Sequence, residues 1–196
     1  MTQTNTSYIV VCEGNSEYAY IQKLNRFFAE NGYACIINAK RVDCGHFNEV
    51  QRKYKTEKKN NPRTTIYIWV DKDTYVRNDC GDKDKYESKA NNLPKFMFST
   101  MNFEDFLAMH QDAKTLDNWY QVCSRQKHHI NPMTEDVYIA LVEQHLFKDY
   151  KKGDIPFDIT EDCLKTLFVN NKGKHMFRCD FADFIEMLIS KHSSIE

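Results

Sequence analysis

Glycine and proline are scarce in this chain, 6 and 4 of 196 residues, which excludes a collagen-like, linker-rich or loop-dominated polymer. Net charge is nearly absent as well, at -1, so nothing draws the whole molecule towards nucleic acid or an anionic surface. Any such binding must come from a local basic face. The 7 cysteines are odd in number and contain no C-x-x-C pair, so neither a zinc knuckle nor a disulfide framework is signalled. Cys44-Gly45-His46 is an isolated Cys-x-His and a weak metal signal. No apolar run approaches the ~20 residues that a membrane helix needs. The polar start over 1–7 also lacks the cationic and then apolar pattern of a signal peptide. These absences leave a cytoplasmic protein with reduced thiols and no membrane partner as the expectation.

Hydrophobic residues, by contrast, make up 41% of the chain, with 13 Phe and 11 Tyr, enough for the core of one domain. The first hundred residues alternate between strand and helix patterns. Strands are predicted over 8–12, 33–37, 66–70 and 95–99, and helices over 16–31 and 47–59. Ser16 is a suitable start for the first helix and Asn31-Gly32 a suitable stop. Strands separated by helices imply a mostly parallel sheet with helices on both faces. From Asn102 the pattern becomes helical, with stretches near 102–110, 116–125, 135–147, 161–170 and 181–190. The predicted architecture is therefore an α/β core over 1–101 with four strands, and a helical extension over 102–196 packed on it without a core of its own.

Two strands end on carboxylates. Ile66-Tyr67-Ile68-Trp69-Val70 runs into Asp71-Lys72-Asp73, and Tyr8-Ile9-Val10-Val11-Cys12 runs into Glu13-Gly14. If the two strands are parallel neighbours, three carboxylates meet at one sheet edge, where open α/β folds place their ligands. Carboxylates so crowded repel one another unless a cation lies between them. Gly14, where the chain turns into a helix, sets Glu13 beside the first helical amides, which favour an anion held through metal.

The segment Val10-Val11-Cys12-Glu13-Gly14-Asn15-Ser16-Glu17-Tyr18 resembles the E-G-x-[ST]-E opening of Toprim domains, most closely in the RloB-like and OLD-type nuclease branches. The segment over 66–73 resembles the D-x-D strand of the same domain. Ser99-Thr100-Met101-Asn102-Phe103-Glu104-Asp105-Phe106-Leu107-Ala108-Met109-His110 is similar to the S-N-P-x-F-E-x-W-L-L-x-H stretch of RloB-like proteins, with Met101 and Phe106 in place of Pro and Trp. Tyr150-Lys151-Lys152 is similar to their later Y-x-K element. The resemblance implies that Glu13, Asp71 and Asp73 hold Mg²⁺ or Mn²⁺, and that Glu17 and Glu104 are candidates for a second ion. Two ions about 4 Å apart serve phosphodiester hydrolysis, with Lys152 (or Lys151) neutralising the phosphate. It further implies a Toprim-like fold, a DNA or RNA substrate, a role in phage defence or restriction, and a separately encoded ATPase or restriction-system partner, since no G-x-x-x-x-G-K-[ST] occurs in the chain.

Other readings compete. Val70-Asp71-Lys72-Asp73-Thr74 also fits the D-x-D-x-T of haloacid-dehalogenase phosphatases, with Asp71 as nucleophile and Asp73 as general acid. That reading leaves Glu13-Gly14 unexplained. A non-catalytic Toprim-like module that binds nucleic acid or a partner is the third. Individual residues have structural readings too. Glu17 and Glu104 suit the first turn of a helix, with Asn102 as a cap for the latter. His110 suits an apolar core, His128-His129 and Lys152 suit loops, and the lysines at 53, 55, 58 and 59 suit a solvated helix face.

Overall fold

The computed structural model describes residues 6–42, 46–71, 96–99, 102–128, 133–173 and 177–192. Its centre is a parallel sheet of four strands in the order β2-β1-β3-β4. These are β1 (Thr6–Cys12), β2 (Cys35–Arg41), β3 (Ile66–Asp71) and β4 (Phe96–Ser99). The sheet helices are α1 (Asn15–Glu30) and α2 (Phe47–Asn60). Among the described residues the further helices are α3 (Phe103–Ala108), α4 (Ala113–Arg125), α5 (Glu135–His145), α6 (Glu161–Lys172) and α7 (Asp180–His192). The expected α/β class, the four strands and the helical extension are all present.

The central strands are apolar from Tyr8 to Cys12 and from Ile66 to Val70 because both of their faces are covered there. Ile9, Val11, Ile66, Ile68 and Val70 pack under α2 against Phe47, Val50 and Tyr54. Tyr8, Val10, Tyr67 and Trp69 face the other way, into a cluster that runs through α1 to Leu188 of α7. The helical extension therefore shares the core of this sheet face. The Trp69 ring stacks on Phe181 at 3.8 Å, and Tyr67 meets Phe184 at 4.5 Å. Trp69 also donates its indole N–H to Ser99 Oγ at 2.8 Å. An isolated antiparallel bridge between Ser99 and Cys179 ties the start of α7 to β4.

Boundaries differ from expectation in two instructive places. β2 runs to Arg41, four residues past the predicted end, because all of Thr6–Cys12 pairs with it. Its second half, Asn38-Ala39-Lys40-Arg41, is an edge segment and carries no apolar signature. The outer backbone of Ile37 is satisfied by Asn25 of α1, whose amide both accepts from Ile37 N–H (2.9 Å) and donates to Ile37 O (2.8 Å). α4 begins at Ala113, before the predicted 116, because Asp112 accepts from the N–H groups of Lys114 and Thr115. The five described cysteines are free thiols. Among the described residues no helix is long and apolar enough to cross a membrane.

Strand order places the site. The chain leaves β1 towards β2 and returns on the other side as β3, so the topological switch lies between β1 and β3. Cys12 is opposite Trp69 there, and Asp71 is opposite Ser99. Glu13 and Asp71 thus leave adjacent strands at the same edge.

Candidate metal centre

Glu13, Glu17 and Asp71 converge, each offering a carboxylate oxygen within 4.8 Å of the others. Each is positioned by the element that carries it. Glu13 follows the last residue of β1 and accepts the backbone N–H of Asp71 at 3.0 Å, a bond across the switch. Asp71 closes β3 and accepts the Phe103 N–H on Oδ2 at 2.9 Å, which draws the start of α3 onto the site. Glu17 lies in the first turn of α1, and its Oε2 reaches back to the Gly14 N–H at 3.1 Å. Its helix-start role is therefore real, but it is also 4% exposed and buried in the cluster. A Cβ on Gly14 would lie 3.3 Å from that Oε2, so glycine gives the carboxylate its room.

The electrostatics follow from this crowding. Burial and then the charge of Glu13 push the Glu17 carboxyl up to about 8. Without a cation it therefore resists sharing the edge as an anion. The donor set consists only of carboxylate oxygens, the chemistry that suits a hard divalent ion such as Mg²⁺ or Mn²⁺. The residues present fit that group.

Other expected site residues fall at varying distances. Asp73 lies outside the described residues, as do His129, Cys44 and Cys80. Glu104 is not part of the convergent set. It is buried beside the set, accepts the Tyr150 hydroxyl at 3.1 Å, and its carboxyl is raised by burial. Glu104 does stand in the first turn of α3, and the capping-box bond there is made by its neighbour Asp105, whose Oδ2 accepts the Asn102 N–H at 3.2 Å. Lys152 forms an ion pair with Glu135 at 2.7 Å. Burial lowers its pKa, but the bond and charge of Glu135, followed by the charges of Glu104 and Glu17, more than offset this and raise it. Lys152 therefore stands within electrostatic reach of the acidic edge while its ammonium rests on Glu135. Lys151 is exposed.

His110 is a core residue, hydrogen-bonded to Tyr20 at 2.9 Å and held down to about 4 by burial. His128 is buried and stacked on Tyr138. Of the lysine run, Lys53 pairs with Glu57 and Lys58 donates to Pro62 O, as on a solvated helix face.

Asp105, Glu135 and Tyr150 had no chemical role of their own in the sequence reading, although Tyr150 opens the Y-x-K likeness. Asp105 had one available signal, its position three residues after a capping Asn. Glu135 meets Lys152 from far along the chain, and no local pattern announces that pairing. Compared with family models, curated proteins and solved structures, the chain shows no match, so the arrangement of its own side chains carries the functional argument.

Proposed function

We propose that this protein is a divalent-cation-dependent phosphodiester hydrolase acting on nucleic acid, with Glu13, Glu17 and Asp71 as cation ligands and Mg²⁺ or Mn²⁺ as the ion. One observation supports it above the others: three carboxylates lie within 4.8 Å of one another at the switch point of a parallel sheet. A bound cation supplies Lewis-acid polarisation of a phosphoryl oxygen and a nucleophilic water at neutral pH. The protein's own residues do the rest. Glu13 and Asp71 hold the two central strand ends together through the Asp71 N–H, fixing the spacing of their carboxylates. Glu17 would hold the ion as a carboxylate, its proton passing to solvent. Glu104, held by Tyr150 at the margin, would orient a water or hold a second ion. Lys152, released from Glu135, provides a cation for the phosphate.

The resemblance to RloB-like and OLD-type Toprim proteins adds a setting to this reading: phage defence or restriction, with an ATPase or restriction-system partner encoded separately. The phosphatase alternative gives Glu13 and Glu17 no task. The test is cleavage of supercoiled plasmid, single-stranded DNA and RNA with Mg²⁺ or Mn²⁺, wild type against Glu13→Gln and Asp71→Asn. Cation-dependent cleavage falling by about 10²–10³-fold in either variant is the expected result. Turnover of small phosphomonoesters that survives Glu13→Gln would instead favour the phosphatase.

A further inference from the structure

A groove of about 830 Å³ opens between the outer face of α1 and the connection over 148–158. Glu13, Glu17 and Asp71 do not line it; it reaches towards the acidic edge through Tyr150. Tyr150 lines it and sends its hydroxyl to Glu104. Glu17 and Tyr18 are consecutive in α1, about 100° apart around the helix, so one faces the carboxylates while the other faces the groove. Gly153, at φ +93, brings the opposite wall to Asn15 at the first turn of α1. That wall is built in place: Lys23 donates to Ile155 O at 3.0 Å and Phe157 O at 2.9 Å, and Asp149 holds a left-handed φ of 60°.

The lining chemistry narrows the occupant. Lys23, Lys148 and Lys151 are balanced by Asp149, Asp154 and Asp158, so the groove offers no net attraction to a run of phosphates. It does present a large exposed ring, Tyr18 at 41%, with the Gln22 amide one turn further along the same helix face. An aromatic platform with a neutral amide beside it suits a nucleobase and its sugar. We infer that this groove receives the nucleoside next to the scissile phosphate, its base stacked on Tyr18 and Gln22 at its edge, so that the enzyme takes unpaired strands. This inference rests on the nuclease reading above, since the adjoining carboxylates would hold the phosphate.

The test pairs two readouts on the full-length protein in Mn²⁺. The first is the anisotropy of a fluorescein-labelled oligoadenylate DNA strand with wild type, Tyr18→Ala and Tyr18→Phe. The second is hydrolysis of bis(p-nitrophenyl) phosphate, a diester without a nucleoside. Tyr18→Ala should weaken oligonucleotide binding about tenfold, with Tyr18→Phe close to wild type. Hydrolysis of the small diester should be the same in all three. An oligonucleotide that fails to bind wild type, or binds Tyr18→Ala equally well, overturns the nucleoside groove. Absence of Mn²⁺-dependent diester hydrolysis in wild type instead counts against the hydrolase reading, whichever way the binding result falls.

Discussion

Two buried acidic sites lie on either side of the start of α3, and they are built in opposite ways. At Asp105, 1% exposed, the carboxylate meets donors on every side: Trp119 Nε1 at 2.8 Å, the Tyr138 hydroxyl at 2.8 Å and the Asn102 N–H at 3.2 Å. Burial raises its carboxyl to about 7, while the indole and hydroxyl donors pull it down. At the sheet edge, Glu17 is raised to about 8 by burial and by another carboxylate, Glu13, with backbone N–H bonds opposing. Donors surround one acid and fellow acids crowd the other. A buried carboxyl ringed by donors is a structural joint, here fastening α4 and α5 to the turn that carries Glu104. A buried carboxyl crowded by two half-buried ones, with no donor side chain between them in the bonds described, is an arrangement that a cation would complete.

Four experiments break or sharpen this contrast. The largest expected effect is on the joint. Asp105→Ala strands two buried donors and one half-buried amide and should cost about 3 kcal/mol or more, read as the loss in urea-unfolding free energy. Equal stability of variant and wild type would show that the joint bears no strain of folding. At the sheet edge the sign should reverse. At pH 8 and above, where Glu17 ionises, Glu17→Gln relieves like-charge crowding and should raise metal-free stability by about 1 kcal/mol, while removing most of the stabilisation expected from Mn²⁺ in wild type. Destabilisation in the absence of metal would place Glu17 with Asp105, as a joint.

The third experiment is pH dependence. Glu17, raised from 4.5 to about 8, and Asp105, raised from 3.8 to about 7, both bind protons more tightly folded than unfolded. Their contribution is full below the unfolded values and is lost as pH rises through the folded ones. Thermal melts without metal should therefore weaken from about pH 4.5 to pH 8, and Mn²⁺ should recover most at the alkaline end. A flat profile would contradict the buried placement of both acids. The smallest effect is expected from Gly14→Ala, whose backbone is extended and accepts any residue, but whose Cβ would press on Glu17 at 3.3 Å. Stability should change by no more than about 0.5 kcal/mol. Mn²⁺ affinity, by titration calorimetry, should drop several-fold.

Legibility in the sequence tracked how local the signal was. β1 and β3 could be read directly because strands buried on both faces are continuously apolar, and Glu13 and Asp71 stood out as charges that end such runs. The far half of β2 could not be read, because Asn38 to Arg41 form an edge whose only reason to be extended is the partner strand. Glu17 was open between helix start and ligand; it makes the helix-start bond to the Gly14 N–H and also lies among the carboxylates. Asp105 was passed over beside Glu104 because its function depends on Trp119 and Tyr138, 14 and 33 positions away, which no periodicity reports. The Lys152–Glu135 pair was invisible for the same reason.

The central claim is that the crowded edge is a cation site, and thermal unfolding at pH 8 with and without millimolar Mn²⁺ tests it most directly, in wild type and in Glu17→Gln. The account predicts a clear rise in the wild-type melting temperature with Mn²⁺ and little or none in the variant. A wild type whose melting temperature ignores Mn²⁺, or a variant that responds as strongly, would contradict it.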